Sequence, residues 1–164
     1  MPKSVIILAG VANSGKSKTL HSISDGQELV GRRIYSIKRK RTCIYFSSPQ
    51  ELTRISCRYE LVIKRIKHMI EVCDSQGCDL LILAFTMYVV KGKLNKDCIT
   101  KPLEYLKRSC KQVRLVYLRK DDIRNIHLVN GLMSLLQAEE VTSRDRDWKR
   151  QGEELLKIIK TVYP

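Results

Sequence analysis

The chain has 164 residues, 43% hydrophobic and 29% charged, which fits a folded domain with a core and excludes disordered, collagen-like and coiled-coil classes. Its longest apolar runs fall far short of the roughly 18 residues needed to cross a bilayer, and no apolar segment has signal-peptide layout. Lys and Arg total 31 against 17 Asp and Glu, a net charge of +14, which invites a polyanionic partner and says nothing about fold.

Residues 4–9 (Ser-Val-Ile-Ile-Leu-Ala) read as a short buried strand running into Gly10. A helix is predicted from Lys16 toward Ser24, with Gly26 as its stop. The β-rich runs 33–37 and 42–46 flank Lys38-Arg39-Lys40-Arg41 and predict a β-hairpin between Arg33 and Phe46 with a basic tip. Ser48-Pro49-Gln50-Glu51 has the form of a capping box, opening a helix whose stripe is Leu52, Ile55, Tyr59, Val62, Ile66, Met69 and Cys73. A second buried strand is expected at 80–85. Thr100-Lys101-Pro102 starts a third helix ending near Lys111, and 113–118 forms another strand. Asp122 caps a helix to about Gln137, a short strand is read at 140–142, and 147–161 is a final amphipathic helix. Strands alternating with helices imply a mainly parallel sheet covered on both faces, a three-layer α/β arrangement.

The informative stretch is Gly10-Val11-Ala12-Asn13-Ser14-Gly15-Lys16-Ser17, which fits G-x-x-x-x-G-K-[ST] at every fixed position. The two glycines permit backbone angles that turn several N–H groups toward phosphate oxygens, and the following helix adds its positive end. Lys16 has the reach for β- and γ-phosphates, and the Ser17 hydroxyl suits Mg²⁺. With a buried strand before it and a helix after it, this stretch resembles the Walker A loop of P-loop NTPases. The resemblance implies a three-layer P-loop NTPase fold as a single domain over residues 1–164, with ATP or GTP and Mg²⁺ as ligands. It implies nucleotide binding by Gly10, Asn13, Ser14, Gly15, Lys16, Ser17 and Lys18, with Lys16 in the catalytic position and Ser17 on the metal.

The remaining NTPase parts are weaker. A metal-holding acid belongs at the C-terminal end of a buried strand. The second strand ends in Phe85-Thr86-Met87, and its acid, Asp79, stands at the opposite end, where it opens the strand. Thr86 is a weak ligand or a packing residue; Ser47 and Ser48 follow the hairpin, and the capping role is favoured for Ser48 and Glu51. The order of elements resembles Ras-type small GTPases over nearly the whole chain. Phe46-Ser47-Ser48-Pro49-Gln50-Glu51 stands where that family carries D-x-x-G-Q-E, and Arg119-Lys120-Asp121-Asp122 where it carries N-K-x-D. Phe46, Pro49 and Arg119 replace the Asp, Gly and Asn, so ATP is expected ahead of GTP. The leading reading is a nucleoside-triphosphate-binding protein with slow hydrolysis or a nucleotide-dependent hold on a partner. The alternatives are a small-molecule, nucleotide or polynucleotide kinase, with Arg144, Arg146, Lys149 and Arg150 as a lid; a divergent small GTPase; and a basic nucleic-acid-binding module.

The charge is uneven: 14 basic and 4 acidic residues over 1–70, 10 and 5 over 71–120, and 7 and 8 over 121–164. Arg32, Arg33, Lys38, Arg39, Lys40 and Arg41, with Tyr35 and Tyr45 nearby, form a candidate polyanion-binding hairpin for RNA, DNA or an acidic protein. Lysines and arginines also keep edge strands from pairing. Six cysteines lack any C-x-x-C pair, so reduced buried thiols in a cytoplasmic protein with no membrane partner are expected. Trp148 reads as a packing anchor, His21 as a surface or core histidine, and Cys73 and Cys78 as packing residues.

Overall fold

Strand β1 (Ser4–Gly10) is buried along its whole length, as a strand must be when it has parallel neighbours on both sides and helices on both faces. In this computed structural model, residues 4–11, 14–23, 32–37, 39–50, 58–87, 89–90, 93–94, 96–120, 126–143 and 147–162 are described. After β1 come α1 (Lys16–Ser22), β2 (Arg32–Ile37), β3 (Lys40–Tyr45), α2 (Tyr59–Ser75) and β4 (Leu80–Thr86). Then follow β5 (Val89–Val90), β6 (Lys93–Leu94), α3 (Lys96–Ser109), β7 (Gln112–Arg119), α4 (Ile126–Leu135), β8 (Glu139–Thr142) and α5 (Trp148–Val162). Among the described residues the architecture is mixed α/β: a six-stranded sheet in the order β2-β3-β4-β1-β7-β8, a two-stranded sheet β5-β6, and five helices. The β2–β3 pair is antiparallel, and every other pairing in the large sheet is parallel.

The crossovers place the helices. From β3 to β4, β4 to β7 and β7 to β8 the chain steps the same way across the sheet, so right-handed connections put α2, α3 and α4 on one face. Val62, Ile66, Ile99, Leu103, Val129 and Leu132 form the core there. From β1 the chain steps the other way, and α1 joins α5 on the second face, where Leu20, Leu155 and Ile159 cover Ile6, Leu8 and Ile82. The connection after β1 therefore leaves on the opposite face from those after β4 and β7. That reversal opens a crevice at the C-terminal end of β1, the usual ligand position in open α/β sheets.

Helices α1 and α5 meet closely through Gly152. A Cβ there would run into Ser22 Oγ, a hydroxyl held 2.7 Å from the Thr19 carbonyl and 3.0 Å from the Trp148 carbonyl. Beside it Thr19 Oγ1 donates to the buried Gln151 Oε1 at 2.9 Å. Gly152→Ala will lower stability by about 1–3 kcal/mol through overpacking, despite the roughly 1 kcal/mol that alanine gains in a helix. Thermal and urea melts read the change, and a stabilised variant would contradict this packing.

Several boundaries differ from those expected. Pro102 lies inside α3, not at its first position, because the apolar face begins upstream with Cys98 and Ile99. Helix α2 starts at Tyr59, with Arg58 at its N-cap making no side-chain capping bond, whereas a start at Pro49 was expected; Pro49 and Gln50 form a turn. Glu51, Leu52, Ile55, Ser24, Gly26 and Asp122 lie outside the described residues. The short hairpin β5–β6 had no sequence signal, and β8 is present. The hairpin β2–β3 turns through Arg39, which holds a left-handed φ of 64°. Cys43, Cys73, Cys78 and Cys110 are free and buried, and burial pushes the Cys43 thiol up to about 12. Cys98 is disulfide-bonded, which corrects the expectation of six reduced thiols: sequence spacing does not reveal which cysteines the fold brings together. No helix among the described residues is long and apolar enough to cross a membrane.

Candidate functional site

Gly10 closes β1 beside Thr86 of β4, and its carbonyl accepts from Met87 N at 2.8 Å. The loop that follows turns back through Gly15, whose φ of 88° lies in the left-handed region, and enters α1 at Lys16. A strand–loop–helix path of this kind can turn successive N–H groups toward one point. Lys16 is buried, with 5% exposure, and its Nζ donates to the Val11 carbonyl at 2.8 Å. The ammonium is thus folded over the loop and not extended into solvent. Ser14 Oγ is buried without a hydrogen-bond partner among the described residues and faces Gly10, where a Cβ would stand 2.5 Å from it. An orphaned hydroxyl in such a loop favours an incoming acceptor such as a phosphate oxygen.

A cavity of about 320 Å³ opens here, lined by residues 14–18 together with Phe46 and Trp148. Ser17 and Lys18 are exposed at its mouth. Trp148 begins α5 and packs its indole edge against the loop: a Cβ on Gly15 would lie 2.8 Å from Nε1. Lys18 Nζ sits 5.6 Å from the ring centroid, a cation–π distance. Ser143 Oγ donates to the Ser14 carbonyl at 2.8 Å and ties the end of β8 to the loop. His21 stacks on Phe46 with ring centroids 4.3 Å apart.

Behind the loop lies a neutral polar cluster. Ser48 Oγ is 2.8 Å from Thr86 Oγ1, and Thr86 N donates to Gln50 Oε1 at 3.2 Å. All three residues are buried. Ser48 therefore has a partner that the capping-box reading did not contain. Asp79 opens β4 at the far end, its N–H bonded to the Arg41 carbonyl at 2.8 Å. No group of three or more His, Cys, Asp or Glu suited to a metal occurs among the described residues.

Of the residues predicted to hold phosphate, the structure brings together Gly10, Ser14, Gly15, Lys16, Ser17 and Lys18, and Asn13 lies outside the described residues. The hairpin cations divide. Arg32 pairs with Tyr45 at one end of the hairpin, while Arg39, Lys40 and Arg41 lie at the turn. The side chain of Arg33 and all of Lys38 lie outside the description. Arg150 is engaged by Asp147 at 3.1 Å and the Thr142 carbonyl at 2.6 Å, so it braces the β8–α5 junction. Arg144 and Arg146 are outside the described residues. Arg119 pairs with Glu140 at 3.3 Å.

Sequence reasoning read Trp148 as a packing anchor without placing it on this loop, and it missed Ser143. Both come from chain distant from the loop, and their one hint was a final amphipathic helix needing an uncovered sheet face.

No protein-family model matches the chain, and no curated protein matches it. Among solved structures it is similar to a de novo designed PLOOP2X3_50 fold protein determined by solution NMR, at 14% identity and a TM-score of 0.48, covering 98% of this chain and 96% of that one.

Proposed function

We propose that this chain is a P-loop nucleoside-triphosphate-binding protein of three-layer, single-domain architecture that takes Mg-ATP. The observation that carries the reading is the loop at the crevice of β1, with a left-handed Gly15, a buried Lys16 and an orphaned Ser14 hydroxyl. Backbone N–H groups and the Lys16 ammonium suit the β- and γ-phosphates, while the N-terminal end of α1 adds positive potential.

The donors fit a magnesium ion held mainly by the nucleotide. Ser17 would supply its hydroxyl, with the Ser48 and Thr86 hydroxyls behind it, and the ion would neutralise phosphate charge. Ser48, Thr86 and Gln50 orient hydrogen bonds but do not accept a proton near neutral pH. Such a site favours holding a triphosphate over hydrolysing it quickly, so the nucleotide serves as a slow state marker for a partner. Arg119, committed to Glu140, offers no acceptor for guanine, which favours ATP.

Trp148 is the single tryptophan of the chain and lines the cavity, so its emission reports on the site. Addition of Mg-ATP will produce a saturable change in Trp148 fluorescence, while adenosine at the same concentration will not. Phosphate release measured alongside will be slow. A flat fluorescence titration together with no calorimetric heat for ATP or GTP would overturn the reading.

A further inference from the structure

A second cavity, of about 340 Å³, lies between the hairpin and α2 and is lined by Arg32, Tyr45, Arg65, His68 and Met69. Its position follows from the strand pleat. Tyr45 packs with the core on the α2 face, whereas the next residue, Phe46, belongs to the core on the opposite face and lines the phosphate-loop cavity. The two cavities are thus on opposite faces of the sheet. On α2, Arg65, His68 and Met69 share one side at three- and four-residue spacing. From β2, Arg32 stands directly across from Tyr45.

Among the described residues the lining of this cavity is one-sided. Arg32, Arg65 and His68 are exposed, and no ion pair engages any of them among the described residues. One helical turn from Arg65 in either direction stand Leu61, Val62, His68 and Met69, with no acid. Glu71 is the one acid within a turn of His68. Two guanidiniums and an imidazole therefore converge on a space whose floor is a buried Met69 and a half-buried Tyr45 ring. Its volume falls at the small end of ligand pockets, about 300–1,000 Å³. The exposed cations of the hairpin turn do not extend it: Arg41 is four strand residues from Tyr45, about 13 Å at the usual rise. One compact anion fits better than the unbroken cationic track that a polynucleotide backbone requires.

We propose that this groove binds a phosphomonoester carrying an aromatic body, with the phosphate on Arg32, Arg65 and His68 and the ring against Tyr45 and Met69. Guanidinium groups pair with phosphate in a fork, and the apolar floor distinguishes such a compound from free phosphate. The site is independent of the reading of the phosphate loop.

Calorimetry and amide NMR on the full chain test this with phenyl phosphate, inorganic phosphate, phenol and a mixed-sequence oligonucleotide. Phenyl phosphate will bind more tightly than inorganic phosphate and phenol, shifting the amides of Tyr45, Arg65 and His68. Arg65→Ala will weaken it by about tenfold or more, the scale of a lost charge-assisted hydrogen bond, while melts confirm a folded chain. Lys16→Ala, or Lys16→Met if the alanine variant unfolds, will leave phenyl phosphate affinity unchanged. Loss of binding in the folded Lys16 variant, no effect of Arg65→Ala, or binding of the oligonucleotide without phenyl phosphate would each overturn the proposal.

Discussion

Replacing Lys16 with alanine will weaken Mg-ATP binding by about tenfold to a hundredfold, the range expected for losing a charge-assisted hydrogen bond to phosphate. The chain will stay folded. Lys16 Nζ donates to the loop carbonyl of Val11, and its stem packs beside Gly10, away from the two main cores. Calorimetry measures the affinity and a thermal melt checks the fold. Unchanged affinity in a folded variant would remove the basis for assigning this loop to phosphate. The same variant separates the two cavities, since the groove at Arg65 lies on the other face of the sheet.

Gly15→Ala will have the second large effect, for two separable reasons. The backbone at Gly15 has φ of 88°, where a side chain costs on the order of 1–3 kcal/mol. The added Cβ would also stand 2.8 Å from Trp148 Nε1 and 3.2 Å from Cδ1. Stability will fall by about that amount, lowering Tm by several degrees in a chain of this size, and nucleotide affinity will fall with it. Adding Trp148→Ala removes the clash but not the backbone strain, so the double variant will recover only part of the loss. A double-mutant cycle with no coupling between the two positions would show that the indole does not brace the loop.

Much of the sheet was legible because it follows local rules. Residues 4–9 and 80–85 are continuous apolar runs, and such runs become strands buried on both faces; the structure extends them by one residue each, to Gly10 and Thr86. The hairpin was visible from two β-rich runs around a basic tetrapeptide, although its turn uses Arg39 in a left-handed conformation instead of an Asn-Gly pair. Helix starts were less legible. Ser48-Pro49-Gln50-Glu51 carries capping residues, yet Ser48 and Gln50 reach across to Thr86. Pro102 resembles a helix opening, yet Cys98 and Ile99 before it are already buried in α3. In α3 the apolar face outweighed a cue worth about 1 kcal/mol, while the residues that would follow the Ser48–Glu51 cap lie outside the described ones.

The opening charge has been divided by the structure into places with different surroundings. Lys16 is buried in the loop after β1, Arg114 and Arg119 are tied to Glu139 and Glu140, and Arg150 braces the start of α5. Arg32 and Arg65 converge over an apolar floor. What the sequence determined by itself was the α/β alternation and the strand–loop–helix path from Ser4 through Lys16, because burial periodicity, glycine placement and a helix start are local properties. The tertiary structure alone decided the order β2-β3-β4-β1-β7-β8, the seating of Trp148 and Ser143 on the loop, and the meeting of Arg32 with Arg65. Those contacts join residues far apart in the chain, and only the direction of each crossover determines which of them share a face.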